Sequence, residues 1–369
     1  MSNNPLVQLA NFDQSPWYDN IQRAMIQNGE LTRLIDNDGL KGMTSNPAIF
    51  QKAMTGSSDY DESLKQHLAE NPNQDAKALF YHLAIEDIQM AADTFIGVYQ
   101  QSKGKDGYIS IEVSPDLAAD TKASIAEALE LVKRIDRPNL MIKVPATLEG
   151  LPVIERLTAE GINVNATLLF SVARYLAVNE AYIKGLEKRL AEGKAINNIA
   201  SVASFFVSRV DSAVDAALEN ISENTDHLKS KTAVANAKVA YQGFKAFYAS
   251  DRFAPLKAAG AQPQRLLWAS TGIKNPALKE TFYVDELIGE KTVSTIPPAT
   301  FDAFRSEGVA AATLEEGLAQ AEKTLSQLTA LNIDLTAITD DLETQGVKLF
   351  ADAFDQLLSA IQDKKQGLL

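Results

Sequence analysis

A single lysine interrupts an apolar segment near the middle of the chain. Residues 140–144 are apolar at every second position, and Lys143 falls on the opposite side together with Met141. Alternate side chains of a β-strand face opposite sides, so Lys143 would enter the lumen of a closed barrel. Burial there favours the neutral amine, which can attack a ketone and form a Schiff base. The segment alone equally allows a lysine that extends from a strand end into solvent.

A carboxylate occupies the matching position of the preceding apolar segment. In residues 108–114, Ser110, Glu112 and Ser114 share one side, and the other side is apolar. If the two segments are neighbouring strands, Glu112 and Lys143 project into the same lumen. The pair is open to two compatible interpretations. One is a buried ion pair, and the other is a carboxylate that transfers protons, through a water molecule, while a carbinolamine dehydrates.

Two further segments carry polar residues that would face the same lumen. Residues 162–167 place Asn163, Asn165 and Thr167 on one side. Asparagine is disfavoured in strands, so these amides indicate a hydrogen-bonding role. Asp19 ends the segment 16–19, where it would serve either as the N-cap of the following helix or as a general base at the barrel mouth.

Basic residues after two later segments indicate a phosphate site. Arg209 would lie in the first turn of the helix after residues 198–204, where a phosphate would meet a guanidinium and a helix N-terminus together. An ordinary surface arginine is the alternative. After residues 266–270 the chain is small, polar and glycine-containing, and Lys274 within it could contact the other side of that phosphate.

The elements that position these residues follow from the alternation of short β-branched segments with longer helical ones. This pattern predicts parallel βα units, and a closed barrel of such units places its chemistry at the C-terminal ends of the strands. We therefore predict a single α/β domain over residues 1–369, a (β/α)₈ TIM barrel with additional helices. A helical insertion is expected at about 55–105, and a C-terminal helix at about 337–363 is expected to pack across the barrel. The predicted strands are residues 16–19, 40–45, 108–114, 140–144, 162–167, 198–204, 266–270 and 292–296.

The composition excludes several classes of site. The 369 residues include no cysteine, which excludes disulfides, thiolate metal sites and cysteine nucleophiles. A net charge of −13 argues against non-specific nucleic-acid binding. No apolar run approaches the roughly 18 residues that span a bilayer, and no signal-peptide pattern opens the chain. His67, His82 and His227 lie in polar stretches that are predicted to be helical, without metal-ligand spacing, and are expected at the surface. These features predict a cytoplasmic protein without a metal or membrane site.

Taken together, the chemistry-bearing residues resemble the transaldolase family. The match runs from about Asn11 to the terminal helix, and its members fall at successive strand ends in the right order. The long insertion and the sequence around Lys274 look like the longer bacterial subtype of that family. The matching motifs are Trp17-Tyr18-Asp19, Thr44-Ser45-Asn46-Pro47, Glu112 in IEVSP, Lys143 in MIKVPAT, Asn165-Ala166-Thr167-Leu168 and the stretch from Ser204 through Phe206 to Arg209.

The resemblance implies a barrel of class I aldolase type and a transaldolase activity of the non-oxidative pentose phosphate pathway. Lys143 would attack fructose 6-phosphate or sedoheptulose 7-phosphate, with Glu112 assisting dehydration through a water. Asp19 would take the C4 hydroxyl proton as the C3–C4 bond breaks. The dihydroxyacetone unit would stay on the lysine until glyceraldehyde 3-phosphate or erythrose 4-phosphate accepts it. No cofactor is implied, because the lysine is itself the electron sink.

The resemblance also implies which residues bind the substrate. Asn46, Asn165, Thr167 and Ser204 match positions that hold the bound unit or the catalytic water, and Arg209 matches a phosphate-binding arginine. One position departs from the more familiar subtype, which has a second phosphate arginine after the seventh strand. Here Ser270 matches, and Lys274 is the candidate substitute, although a lysine would contact phosphate as a point charge.

Two other functions stay open. One is an aldolase that releases free dihydroxyacetone, as fructose 6-phosphate aldolases do; such relatives tend to have a tyrosine where this chain has Phe206. The other is a sugar-phosphate-binding barrel without catalysis, against which the joint presence of Asp19, Glu112 and Lys143 argues. Either a monomer or a homodimer is compatible with the acidic surface and the insertion.

Overall fold

Eight parallel strands form a closed barrel in the computed structural model, which describes residues 4–368. Each strand pairs with its neighbours in chain order, and the eighth closes on the first. This confirms the predicted (β/α)₈ architecture. The strands are β1 Gln14–Asp19, β2 Gly42–Thr44, β3 Tyr108–Glu112, β4 Leu140–Pro145, β5 Val164–Leu169, β6 Ser201–Phe206, β7 Arg265–Ala269 and β8 Thr292–Ile296.

Each predicted strand overlaps an observed strand, but some of the predicted ends differ from the observed ones. The sixth strand continues past the predicted end at Ser204 because Phe205 and Phe206 extend its alternation. Phe205 packs edge-on against Trp268 outside the barrel, whereas Phe206 lines the mouth. The third strand stops at Glu112, earlier than predicted, since Pro115 opens a short 3₁₀ turn.

Helices surround the barrel and cover one end of it. Two of them begin at the expected kind of cap: Asn46 accepts a hydrogen bond from the amide of Ile49, and Ser171 accepts one from the amide of Arg174. The α-helices within the described residues are α1 Pro5–Gln8, α2 Arg23–Gln27, α3 Glu30–Asp38, α4 Pro47–Thr55, α5 Asp61–Glu70, α6 Ala76–Gln101, α7 Thr121–Ile135, α8 Gly150–Glu160, α9 Val172–Ala191, α10 Ser208–Leu218, α11 Thr232–Tyr248, α12 Ala254–Ala258, α13 Phe282–Glu286, α14 Pro298–Glu307, α15 Leu318–Ala330 and α16 Leu335–Leu368.

The last helix, α16, lies across the C-terminal ends of the strands. Its buried stripe includes Phe350, Phe354, Leu357 and Ile361, as the sequence pattern predicts. Gly346 lets it approach β5, since a Cβ there would lie 2.9 Å from Leu168. Leu168 itself has a left-handed backbone, at φ 61°, where the register of β5 shifts against β6.

The predicted insertion contains α5 and α6, and it anchors the far end of α16. Lys364 donates to Asp61 at 2.5 Å and to the carbonyl of Ser57 at 2.7 Å. Closer to the mouth, Arg174 of α9 pairs with Glu343 at 3.0 Å. Polar contacts thus hold α16 on both sides of the buried stripe.

A buried polar cluster closes the N-terminal end of the barrel. Arg265 at the start of β7 donates to Ser15 at 2.9 Å and pairs with Asp106 at 3.0 Å. The Ser15 hydroxyl donates to the same carboxylate at 2.9 Å. The cluster compensates the buried guanidinium charge, which burial would otherwise make costly.

The histidines differ partly from expectation. His67 of α5 and His82 of α6 are half-buried and stack on each other, with ring centroids 3.7 Å apart. His227 is exposed but lies in a turn, which corrects the predicted helix. Between residues 4 and 368, no cluster of three potential metal ligands occurs. No helix in that range is both long and apolar enough to cross a bilayer.

Candidate active site

Lys143 lies inside the barrel mouth, on the side opposite the apolar face of β4. Its residue surface is 4% exposed, and its register partners are Glu112 on β3 and Asn165 on β5. The Nζ atom donates to the carbonyl of Ser45 at 3.1 Å and lies 5.5 Å from the ring centroid of Phe350. The amine is therefore held between a carbonyl and an aromatic face, with little access to solvent.

Glu112 is the carboxylate neighbour of this amine. Its Oε2 lies 3.4 Å from Lys143 Nζ. Neither oxygen accepts a hydrogen bond from another described group, so the contact is an ion pair without good hydrogen-bond geometry. Burial raises the pKa of Glu112 to about 7, although Lys143 opposes the rise; the negative charge of Asp19 adds to it. This carboxyl can therefore gain or lose a proton near neutral pH.

Asp19 ends β1 at the same mouth. Burial raises its pKa, while Lys143 and a hydrogen bond from Thr44 oppose the shift. The Thr44 hydroxyl donates to Asp19 Oδ1 at 2.7 Å. The N-cap of α2 is Gln22, so the alternative of Asp19 as the cap of that helix does not hold.

A second threonine extends this contact into a hydroxyl chain. The Oγ1 atoms of Thr44 and Thr295 are 2.6 Å apart. A hydroxyl has one proton, and Thr44 gives its proton to Asp19, so Thr295 is the donor to Thr44. Thr271 of the loop after β7 donates to the carbonyl of Thr295 at 2.9 Å and holds its backbone.

Sequence reasoning assigned no role to Thr44 or Thr295. Thr44 stood within a quoted motif, and Thr295 stood within a predicted strand. Only their position could have indicated a role. Each is at or next to the last residue of its strand, and each lines the same cavity as Asp19. That signal becomes useful only once β1 is known to lie between β2 and β8.

Asn165 and Ser204 form the polar wall beyond the lysine. Ser204 donates to Asn165 Oδ1 at 2.7 Å, and Asn165 donates in turn to Ser110 at 3.1 Å. Thr167 is fully buried nearby, and its hydroxyl has no hydrogen-bond partner among the described residues. Thr167 therefore has free donor and acceptor capacity beside Lys143.

Two residues expected in the lumen face elsewhere. Ser114 follows the end of β3, and its hydroxyl contacts Glu127 at 3.0 Å and Tyr81 at 2.9 Å, among the outer helices. Asn163 precedes β5 and accepts from the amide of Ala200 at the opposite end of the strands. Strand alternation failed for both because neither residue belongs to the regular strand.

The inward-facing residues line one small cavity of about 100 Å³. Phe350 of α16 covers Lys143, and the cavity stays open beside the half-buried lining residues Asp19, Asn46 and Arg209. Glu112 and Asn165 lie behind this lining, in contact with Lys143 and Ser204. The lining consists of Asp19, Thr44, Asn46, Lys143, Thr167, Ser204, Phe206, Arg209, Ala269, Ser270, Thr295 and Phe350.

A basic residue without a carboxylate partner stands at one end of the cavity. Arg209 is the second residue of α10, and its guanidinium lies 5.6 Å from the ring centroid of Phe206. It is half-buried, burial lowers its pKa, and no ion pair compensates it within residues 4–368. Ser208 and Ser270 are hydrogen-bonded to each other at 2.9 Å beside it. An uncompensated guanidinium at a helix N-terminus favours an anion.

The structure does not bring Lys274 to this cavity. Lys274 is exposed and absent from the lining, although Ser270, four residues earlier, is part of it. Ser270 has a left-handed backbone at φ 55°, which turns the following loop away, and Asn275 ties that loop to Ser230 at 3.1 Å. A phosphate contact by Lys274 remains a prediction, and this loop position does not support it.

Known proteins resemble the chain over nearly its whole length. The family model described as transaldolase/fructose-6-phosphate aldolase matches residues 16–361. A transaldolase of Trichodesmium erythraeum is 42% identical, with 100% of this chain and 99% of that protein covered. A protein of Nostoc sp. named transaldolase 2 is 44% identical, over 99% and 98% of the two chains. A solved 2,3-dimethylmalate lyase aligns over 93% of this chain and 94% of its own at 10% identity, with a TM-score of only 0.26. The extent of the first three matches shows that this chain belongs to the transaldolase/fructose-6-phosphate aldolase family.

Proposed function

We propose that this protein is a transaldolase that moves a dihydroxyacetone unit from a ketose phosphate to an aldose phosphate through a Schiff base on Lys143. One observation carries the proposal. The buried Lys143 amine lies 3.4 Å from Glu112, and the cavity that it lines also contains the uncompensated Arg209. The names of the relatives agree with this activity. Its natural setting is the non-oxidative pentose phosphate pathway of the cytoplasm.

The first step is formation of the Schiff base. Lys143 gives a proton to Glu112 across their 3.4 Å contact, the resulting amine attacks the ketone carbon, and the carbinolamine must then lose its hydroxyl as water. Glu112 supplies and recovers the proton, since its pKa of about 7 lets both forms be populated at neutral pH. A water molecule between Glu112 and the Thr167 hydroxyl would carry that proton, because both side chains have free hydrogen-bonding capacity.

The second step is cleavage of the C3–C4 bond. Asp19 takes the proton of the C4 hydroxyl while the electrons of the bond pass into the iminium on Lys143, which becomes an enamine. The aldose phosphate then leaves. Burial makes Asp19 a stronger base than a solvated aspartate, and the hydrogen bond from Thr44 fixes its orientation. Addition of the enamine to a second aldose phosphate reverses these events and completes the transfer.

The remaining lining residues bind and orient the sugar. Arg209 would hold the phosphate, with Ser270 beside it. Asn46 and Ser204 line the cavity near Lys143 and are suited to the hydroxyl groups of the dihydroxyacetone unit, and Asn165 supports Ser204 from behind. No step in this scheme requires a metal ion or an organic cofactor.

The second candidate is an aldolase that releases free dihydroxyacetone. Phe206 is the residue that separates the two, since its ring lines the cavity without offering a hydroxyl to a water. It packs against Phe170 with ring centroids 5.1 Å apart. An apolar ring leaves water near the enamine less well activated, which favours transfer over release. Rapid formation of free dihydroxyacetone from fructose 6-phosphate, without an acceptor, would establish the aldolase instead.

Borohydride trapping tests the proposal directly. Reduction of the enzyme with fructose 6-phosphate should add one covalent adduct, found by intact mass and mapped to Lys143. Lys143→Arg should abolish the adduct. Lys238→Arg is the matched control, because Lys238 is also buried, at 6% exposure, but lies outside the cavity and pairs with Glu286. An adduct that persists in Lys143→Arg contradicts the mechanism, and no adduct with any ketose phosphate favours a barrel that binds without catalysis.

A further inference from the structure

A second cavity, much larger than the first, lies at the opposite end of the barrel. This N-terminal cavity has a volume of about 700 Å³. Its wall includes residues just before β1, β3 and β8 and residues at the start of β6 and β7, so it lies below the ends of five strands. Small-molecule sites typically enclose roughly 300–1,000 Å³. The N-terminal cavity therefore has the size of a ligand site, and it is separate from Lys143.

The inner wall of the N-terminal cavity contains a buried guanidinium with unused donors. Arg265 lines it and is 7% exposed. Its Nη1 donates to Ser15, and its Nη2 donates to Asp106 and to the carbonyl of Lys105. An arginine has five N–H donors, so the Nε hydrogen and one Nη1 hydrogen have no acceptor among residues 4–368. Such donors are suited to an anionic ligand.

The cavity wall is more basic than the protein that surrounds it. The whole chain has a net charge of −13, yet this wall carries five basic side chains against the three carboxylates of Asp13, Glu290 and Glu315. Two of the basic residues, Lys105 and Lys245, are paired with Asp13 and Glu315. The others are Arg265, Lys257 and Lys291.

Lys257 and Lys291 have no carboxylate partner among the described residues. Both are exposed at the cavity and can move toward a ligand. Arg265 is already paired with Asp106, so these two ammonium groups face one unpaired carboxylate of the wall, that of Glu290. Together with the unused N–H donors of Arg265, two flexible ammonium groups suit a phosphate group, which accepts several charge-assisted hydrogen bonds.

One side of the N-terminal cavity is aromatic. Tyr241, Phe244 and Tyr248 from α11 line it, together with Phe253. Tyr241, Phe244 and Phe253 are buried, so the half-buried Tyr248 offers most of the aromatic surface to a ligand. Aromatic walls accept flat unsaturated rings through offset or edge contacts. The cavity thus combines a surface for a flat ring with donors for a phosphate.

We infer that the N-terminal cavity binds a nucleoside phosphate, with the base against the aromatic side and the phosphate between Lys257, Lys291 and Arg265. The inference goes beyond the proposed transfer reaction and does not depend on it, since no residue of this cavity lines the Lys143 site. Both parts of the ligand are needed for the full affinity.

Isothermal titration calorimetry of the full chain tests this inference with ADP, adenosine and inorganic phosphate as separate probes. ADP should bind with one-to-one stoichiometry, and each half-probe should bind at least about tenfold more weakly, a loss of about 1.4 kcal/mol. The double variant Lys257→Glu/Lys291→Glu should weaken ADP binding about tenfold or more. Lys133→Glu is the control, because it reverses an exposed lysine at the last turn of α7, away from the N-terminal cavity. If the double variant loses thermal stability, the single variants Lys257→Gln and Lys291→Gln take its place, and each should still weaken ADP binding.

Four results would overturn the inference. The first is no detectable ADP binding at millimolar concentration. The second is ADP binding that survives the lysine reversals, and the third is phosphate binding as tight as that of ADP. The fourth is loss of ADP binding in Arg209→Ala with retention in the double variant, which would place the nucleotide in the sugar-phosphate cavity. Borohydride trapping on Lys143 tests the proposed transaldolase chemistry separately. Failure of the nucleotide site would therefore leave the proposed transaldolase reaction untouched, and the reverse also holds.

Discussion

Removal of the Thr295 hydroxyl should slow carbon–carbon bond cleavage without touching Schiff-base formation. Thr295 donates to Thr44, and Thr44 donates to Asp19. Thr295→Val keeps the shape of the side chain and removes only the first donor, which leaves Thr44 free to rotate away from the carboxylate. Thr295 is thus a positioning residue, and its effect should reach the substrate only through Asp19.

The size of this effect follows from the kind of hydrogen bond that is lost. A bond between two neutral hydroxyls contributes about 0.5–1.5 kcal/mol, so Thr295→Val should lower kcat about two- to tenfold. Thr44→Val removes a bond to a charged carboxylate, which contributes about 1.5–3 kcal/mol, and should lower kcat about ten- to a hundredfold. Thr295→Ser retains the hydroxyl and should recover most of the activity.

Two assays separate cleavage from imine formation. Transfer from fructose 6-phosphate to erythrose 4-phosphate reports the step that needs Asp19. Borohydride trapping with dihydroxyacetone reports imine formation alone, because this ketone has no C4 hydroxyl. We expect Thr295→Val to slow the first and leave the second unchanged. Equal loss in both assays, or failure of Thr295→Ser to recover activity, would refute the role of the hydroxyl chain.

Three other changes test neighbouring parts of the site. Glu112 has a folded pKa of about 7, above its reference value of 4.5, so its contribution to stability is present below about 4.5 and is lost as pH rises through 7. Glu112→Gln should therefore gain stability relative to wild type between pH 5 and 8, by on the order of 3 kcal/mol in urea denaturation, and parallel curves would contradict the raised value. Arg209→Ala should raise KM for fructose 6-phosphate at least about tenfold, with little change for unphosphorylated fructose, since a charge-assisted bond contributes about 1.5–3 kcal/mol; equal losses for both sugars would argue against a phosphate contact. Phe206→Tyr should increase release of free dihydroxyacetone in the absence of acceptor, measured with a coupled reductase, and an unchanged release would remove Phe206 from the choice between transfer and release.

Strand alternation correctly placed Lys143 beside Glu112 on the inner side of the barrel, because alternate residues of each strand face the lumen. Once Lys143 and Glu112 face inward from adjacent strands, closure of the sheet brings them within contact distance. The same rule failed for Ser114, whose backbone leaves the strand before Pro115. Parity is informative only where the backbone is regular.

Positions that depend on loop direction or on the closure of the barrel could not be predicted from the sequence. Lys274 lies four residues after Ser270, whose backbone is left-handed, and nothing in the residue pattern fixes the direction of the loop between them. Thr44 and Thr295 are about 250 residues apart and meet only because β1 lies between their strands. The N-terminal cavity is lined by residues from seven separate parts of the chain, most of them loops or helix ends, so no local sequence motif predicts it.

The helix α16, which covers Lys143 with Phe350, bears on the fate of the enamine. The cavity under Phe350 holds about 100 Å³, below the roughly 300 Å³ of typical ligand sites, so we expect α16 to shift when a sugar phosphate enters. Between departure of one aldose and arrival of the next, the enamine on Lys143 is exposed to a competing event, protonation by water followed by loss of the three-carbon unit. The time for which α16 stays displaced would then determine which fraction of the enamine is transferred to an aldose and which fraction is lost by protonation. The contacts of Glu343 and Lys364 with the rest of the barrel, far from any reacting atom, would tune the yield of the reaction as well as its speed.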